Sequence, residues 1–301
     1  MLLWSINLLN HSSEYAVIDG KNNVASDKRA IAKSFGGAAG SYNSVTGLQR
    51  NIGDALLELL KEYRSVSTDE HVLDIGCGTG YLVSQLRRDV GDFYALDIAQ
   101  GMLQVAKQTG NEQNRSAQEL GNSKVHYICA DAEAIPLKAS TVDIVVSNFA
   151  IQWCPNKSLL FEEVARVLRP GGVFVFSMPG TDTLRELKAS WQKADPNHSH
   201  VNQFCGVQEI ERDIINSSLV IETLKVRQHV KHYDKLQYLT CELKAMGAHN
   251  VTDGRAKQLT GKGTIKRLVA AYDEFRNERG LLPATWNVIY GVLIKSNQRS
   301  E

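Results

Sequence analysis

The sequence predicts an α/β fold, a mostly parallel seven-stranded sheet with helices on both faces and an antiparallel last strand. Three observations lead there. Short apolar runs alternate with helical stretches from residue 71 to residue 177. The runs are almost continuously hydrophobic, as strands buried on both faces must be. Beyond Pro179 the alternation gives way to two late β-branched runs separated by helices, which suggests an antiparallel closing pair carrying an insertion.

With 301 residues, 43% hydrophobic and 22% charged, the chain can bury one large core or two small ones, and it is neither disordered nor fibrous. Lys and Arg total 34 against 33 Asp and Glu, a formal net charge of +1, so no global field draws in nucleic acid or an anionic membrane. A charged partner must then meet a local patch. The five cysteines include no C-x-x-C pair and no zinc-ligand spacing, which points to unpaired thiols in a reducing cytoplasm and to no metal. No apolar run approaches the ~20 residues of a membrane span. The opening MLLWSINLLN lacks the basic start and small-residue cleavage site of a secretory signal, so residues 1–26 read as a flexible tail on a soluble cytoplasmic protein.

Taken in order, residues 28–62 carry apolar Leu48, Ile52, Leu56, Leu59 and Leu60 at helical spacing, interrupted by Gly36-Gly37-Ala38-Ala39-Gly40, which predicts two helices around a flexible joint. Strands are expected at 71–76, 93–97, 125–130, 142–148 and 173–177, and helices at 81–90, 101–108 and 156–169. The last of these helices stops at Arg169-Pro170-Gly171-Gly172, where proline and glycine end the helical backbone. Further on, helices are expected near 182–194, 207–216, 235–247 and 264–279, with strands at 219–230 and 285–294.

The strongest chemical signal is Val72-Leu73-Asp74-Ile75-Gly76-Cys77-Gly78-Thr79-Gly80, an apolar strand running into an acid and three glycines. Glycines let backbone approach a ligand, and the next helix offers free N–H groups to an anion. The spacing G-x-G-x-G lacks one residue of the dinucleotide fingerprint G-x-G-x-x-G, which argues against a nicotinamide oxidoreductase. Asp97 ends the second strand, where a carboxylate can accept hydrogen bonds from both ribose hydroxyls.

These segments resemble the class I S-adenosylmethionine-dependent methyltransferases, whose sheet is Rossmann-like. Asp74 to Gly80 looks like that family's glycine loop and Asp97 its ribose acid. Met102 matches the position that packs on adenine, and Asp131-Ala132 the stretch whose acid bonds the adenine amino group. Val142 to Asn148 resembles the fourth strand, and Leu168 to Gly172 the turn before the fifth. The likeness implies S-adenosylmethionine as methyl donor, held by Asp74, Gly76, Gly78, Gly80, Asp97, Met102, Asp131, Ala132 and Asn148. One departure is Ala99 where the family often has a capping Ser or Asp, so that helix start should be less well capped.

A narrower resemblance involves the flanks. Lys28 through Tyr42 and Leu48-Gln49-Arg50 look like the leader of the malonyl-(acyl-carrier protein) O-methyltransferases of biotin synthesis. Asn148 to Cys154, Leu243 to Asn250, Gly254-Arg255, Leu259 to Lys262 and Thr285 to Val292 are similar to later parts of that family. This likeness implies a helical lid over 27–65, a methyltransferase domain over 66–301 with a helical insertion at about 233–282, and methylation of the free carboxylate of malonyl-acyl carrier protein. Gly37 and Cys241 stand where that family usually has arginines.

Such a carboxylate, with a pKa near ~4, is anionic at pH 7 and needs no general base. Tyr42 and Gln152 are the residues expected near the reacting groups, Tyr42 either orienting the carboxylate or anchoring the lid by packing. Trp153 is either core or site. Arg50, Arg255 and Lys262 are candidates for substrate or carrier, a guanidinium fork suiting a carboxylate. Residues 225–267 hold ten basic side chains against three acidic ones, either a solvated face or a surface for an acidic carrier protein. The alternative acceptor is another small molecule, such as a free acid or a quinone, or an RNA base. The basic stretch has neither interleaved aromatics nor a recognisable nucleic-acid module.

Overall fold

The computed structural model describes residues 23–116, 124–246 and 260–297. Two leader helices, α1 (Asn23–Val45) and α2 (Gly47–Tyr63), precede the first half of the sheet: β1 (Val72–Ile75), α3 (Tyr81–Leu86), β2 (Phe93–Asp97), α4 (Gln100–Ser116), β3 (Val125–Cys129) and β4 (Val142–Asn148). There follow α5 (Lys157–Val167), β5 (Leu168–Pro179), α6 (Arg185–Ala194), α7 (Val207–Ile214), β6 (Leu219–Tyr233), α8 (Leu236–Ala245), α9 (Lys262–Asp273) and β7 (Leu282–Lys295). The strands form one seven-stranded sheet in the order β3-β2-β1-β4-β5-β7-β6. β1 to β5 pair in parallel, while β7 runs antiparallel to both β5 and β6, as the two late β-branched runs predict.

Each face of the sheet buries its own cluster. On one, Ile52, Leu56 and Leu60 of α2 and Leu82 and Leu86 of α3 cover Val72, Phe93 and Val146. On the other, Leu160, Phe161 and Val164 of α5 and Ile210 and Ile214 of α7 cover Leu73, Val145, Phe174 and Phe176. The spacing of the apolar residues along α2 and α5 places them on one stripe, which is why these helices lie flat on the sheet.

Several elements differ from the sequence reading. The helix after β1 is only six residues long, and β5 begins at Leu168, the residue following α5. Residues 23–26, read as tail, lie in α1, and residues 1–22 are outside the described part. The joint between the leader helices is also elsewhere: α1 runs unbroken through Gly36 to Gly40, and the chain breaks at Thr46. The reason is packing. A Cβ on Gly101 of α4 would stand 2.8 Å from the Gly36 carbonyl oxygen, so the two helices meet backbone to backbone. The glycine there permits a close crossing, which outweighs its poor helix propensity.

Gly101→Val should push α1 off α4 at a cost of about 1–3 kcal/mol, the usual penalty of overpacking. Limited proteolysis is expected to cut near residues 28–45 faster in this variant, while the far-ultraviolet circular dichroism of the sheet is retained.

Candidate active site

The strand order reverses between β1 and β4, and the loops after these strands diverge to leave a crevice. After Ile75 the chain turns through Gly76, Gly78 and Gly80, with φ of 71°, 53° and 86°. A Cβ on Gly76 would lie 2.1 Å from that of Ala150 in the turn after β4, so glycine alone lets these two loops touch. Gly80 has a different task from the one expected. Its Cβ would press on Ala106 of α4 at 3.2 Å, and it seats α3 against α4 without lining the crevice.

Asp97, the last residue of β2, ties the loop down. Its Oδ2 accepts the Gly78 N–H at 2.9 Å and its Oδ1 the Ala99 N–H at 2.8 Å. The second bond places a carboxylate at the start of α4, so the capping missing at Ala99 is supplied from two residues upstream. Asp74 is fully buried, and neither of its carboxylate oxygens has a hydrogen-bond partner among the described residues. Burial, and then the nearby Asp97, hold its carboxyl well above the usual carboxylate range. Burial also raises Asp97, against its two backbone donors. Two buried acids in one crevice suit a cationic ligand that carries hydroxyl groups.

Three cavities meet here, and Tyr42 of α1 lines all of them. The first, about 740 Å³, lies between Asp97 and Met102 on one side and Asp131, Ala132 and Trp153 on the other. The second, about 670 Å³, is walled by Phe149, Trp153, Leu184, Leu187, Leu243 and Trp286, with Gln49, Gln152 and His200 among its polar lining. The third, about 450 Å³, brings Arg50 and Thr79 beside Asp74. Burial and the charge of Asp97 push the Tyr42 hydroxyl up to about 12, so at neutral pH it is a neutral donor.

The leader walls the first cavity with Lys28, Ile31 and Phe35. Lys28 Nζ lies 2.6 Å from Asp131 Oδ2 and also pairs with Glu133, while Asp131 Oδ1 accepts the Glu133 N–H at 3.0 Å. The acid expected to meet an adenine amino group therefore also holds the leader. Asn148 lines the first and third cavities, but its amide is committed internally: Nδ2 donates to the Gln49 carbonyl at 2.9 Å and Oδ1 accepts from Ser177 Oγ at 2.6 Å. Gln152 Nε2 donates to the Phe149 carbonyl at 2.7 Å and so shapes the short turn Ile151–Trp153. Trp153 faces both larger cavities and meets Phe35 edge-on at 5.4 Å.

The cations expected to meet substrate or carrier are not gathered at one cavity among the described residues. Arg50 stacks over the Tyr81 ring at 5.8 Å and lines the third cavity, away from the second. Lys262 starts α9 as an exposed residue and lines none of the three. Arg255 lies outside the described residues. Two described members of the basic stretch are engaged within the chain: Lys231 pairs with Glu242 at 2.6 Å, and Arg267 donates to the Ala194 carbonyl at 3.0 Å. Lys28, Phe35, Phe149, His200 and Trp286 reach the cavities without having been singled out. Only Phe149 had a local signal, its place directly after a strand at the switch point. Among the described residues, no three His, Cys, Asp or Glu side chains converge to hold a metal ion. None of the described helices is long and apolar enough to cross a membrane.

The sheet order, the acid-ended β1 and β2 and the glycine loop at the switch point define a class I methyltransferase. A family model described as a methyltransferase domain matches residues 73–176, and that fold implies S-adenosylmethionine as methyl donor. A malonyl-(acyl-carrier protein) O-methyltransferase of Methylovorus sp. is 38% identical over 91% of this chain and 90% of its own length. The chain belongs to that family. It is also 40% identical to the biotin biosynthesis bifunctional protein BioHC of Cellvibrio japonicus over 90% of its own length, and spans 51% of that relative. Among solved structures the YcgJ protein of Bacillus subtilis shares the fold, with a TM-score of 0.57, 19% identity and coverage of 82% of this chain and 100% of that one.

Because the folded-state pKa of Asp74 is raised, the native state holds its proton more tightly than the unfolded chain does. Ionisation therefore costs stability as pH rises from the ordinary carboxylate range through the raised value. Asp74→Asn should raise the melting temperature of the ligand-free protein at pH 7.5 by at least about 2 °C. The same variant should lose most of the stabilisation that S-adenosylhomocysteine gives the wild type, a comparison made by scanning calorimetry.

Proposed function

We propose that this chain transfers a methyl group from S-adenosylmethionine to the free carboxylate of malonyl-acyl carrier protein, in the cytoplasm, at the start of pimeloyl formation in biotin synthesis. The observation that carries the reading is the apolar second cavity, which joins the donor crevice at Tyr42, Phe149 and Trp153. The relatives' name supplies the acceptor.

The residues fit the donor. Asp97 and Met102 would hold its ribose and adenine, Asp131 and Ala132 the far side of the ring, and Gly76 and Gly78 the close approach of backbone. Asp74 and Arg50 stand together in the third cavity, where an amino-acid end with an ammonium and a carboxylate finds one counter-charge for each. When bound, the sulfonium supplies a methyl group that a carboxylate can attack directly.

What the protein must add is position and dryness. The malonyl carboxylate is already ionised at pH 7, so no proton has to move. Holding it in line can contribute up to about 7–11 kcal/mol through approximation alone. Phe149, Trp153 and Trp286 exclude water from the second cavity, and the neutral Tyr42 hydroxyl stands between donor and acceptor spaces, where it can orient one carboxylate oxygen. Gln152 contributes by holding the turn that carries Trp153. Leu243 of α8 and Met246 directly after it wall the same cavity, so exposed Lys244 on that helix, with Lys235 and Lys262, is offered to the acidic carrier.

Purified protein incubated with methyl-labelled S-adenosylmethionine should form base-labile methyl ester on malonyl-acyl carrier protein well above malonyl-coenzyme A, free malonate or a succinyl carrier. Turnover on a free small molecule with indifference to the carrier would instead favour a methyltransferase with another acceptor. Tyr42→Phe should lower kcat/KM by about tenfold, the worth of one hydrogen bond to a charged group, with donor affinity within about threefold of wild type.

A further inference from the structure

Resting on the acceptor reading above, we propose that His200, held by Asp195, is the cation that anchors the acceptor carboxylate in the second cavity. A carboxylate carried into an apolar pocket needs a counter-charge or several donors. Neither lysine nor arginine lines this cavity among the described residues, and its only titratable lining side chains are Tyr42 and His200.

His200 is built to serve. Its Nε2 lies 2.8 Å from Asp195 Oδ2, its ring stacks on Trp191 at 3.7 Å and 10°, and its side chain is 11% exposed. These contacts fix the plane of the ring and assign Nε2–H to Asp195, as a carboxylate does for a working imidazole. His200 lines the cavity, and with Nε2 engaged by Asp195 the nitrogen that a ligand there can meet is Nδ1. A neutral ring with its proton on Nε2 would show a lone pair at Nδ1, whereas the imidazolium shows an N–H. A carboxylate ligand at Nδ1 therefore pairs with the imidazolium form, whose Nε2–H is directed to Asp195.

The charged and titratable groups around this ring are few. Asp195 and His198 belong to its own segment, and His198 Nδ1 also meets Asp195, at 3.0 Å. Tyr42 of α1 lines the same cavity, and Arg267 of α9 is committed to the Ala194 carbonyl. Both histidines hold the Asp195 carboxyl below the usual carboxylate range, so it stays ionised wherever the enzyme would work. Methylation turns the carboxylate into a neutral ester, which His200 has no charge to hold. The same contact thus favours acceptor over product.

The test compares binding of malonyl-pantetheine and its methyl ester to the full chain saturated with S-adenosylhomocysteine, by titration calorimetry. Wild type should prefer the carboxylate by at least about tenfold, as a charge-assisted hydrogen bond implies. His200→Gln should bring the two affinities within about threefold, and Asp195→Asn should weaken the preference with the ring still present. A general loss of pocket structure would weaken both ligands equally, and the melting temperature with S-adenosylhomocysteine checks folding. Retention of the wild-type preference in both variants would overturn the anchor while leaving the acceptor reading intact. Failure of wild type to label malonyl-acyl carrier protein would overturn the acceptor reading and the anchor with it, whereas labelling of the carrier with no preference for malonyl-pantetheine over its ester would overturn the anchor alone.

Discussion

Two buried carboxylates at the ends of adjacent parallel strands set the terms for the rest of this molecule. Among the described residues Asp74 has no hydrogen-bond partner, and Asp97 spends its oxygens on backbone N–H groups of the loops beside it. Placing like charges together in a dry crevice is unfavourable for the fold. The sheet tolerates it because β1 and β2 are embedded in two well-packed layers on either face. The arrangement makes sense only for a ligand that brings positive charge and hydroxyl groups, as a sulfonium-bearing nucleoside does.

The leader completes the crevice that those acids define. α1 crosses α4 at the Gly36–Gly101 contact and thereby brings Lys28, Phe35 and Tyr42 over the strand ends. Lys28 pairs with Asp131 and Glu133, so the leader is fastened to an acid that lines the first cavity with it. Tyr42 consequently stands where the donor and acceptor cavities join. Gly37 and Cys241, the two departures from the resemblance, are both exposed and line none of the three cavities.

The strands, their mostly parallel pairing and the glycine loop were legible in the sequence because each rests on local chemistry: continuous apolar runs, an acid at a strand end, glycines at fixed spacing. Asp97, Met102, Asp131 and Ala132 reach the first cavity for the same reason. Gly36 was misread as a joint because its partner, Gly101, is distant in sequence and the signal for a close helix crossing is identical to that for a break. Arg50 was assigned to the acceptor, although α2 sets it beside Asp74. His200 and Trp286 escaped notice because loop and late-strand residues reach the second cavity only through the packing of α6, α8 and β7, for which no short-range pattern exists. Asn148 lines the first cavity as the resemblance implies, but the bracing of α2 against β5 by its amide depends on partners distant in sequence and has no local signal.

The most direct test of the account is the proton balance of donor-site binding. S-adenosylhomocysteine affinity would be measured by calorimetry from about pH 8 down to about pH 5.5, in buffers of different ionisation enthalpy. If a ligand ammonium becomes the counter-charge of Asp74, binding lowers that carboxyl's pKa, so protons are released on binding and affinity falls as the pH drops. An affinity flat across this range, with no proton released, would show that the buried carboxylate is not what the ligand neutralises, and would contradict the account at its root.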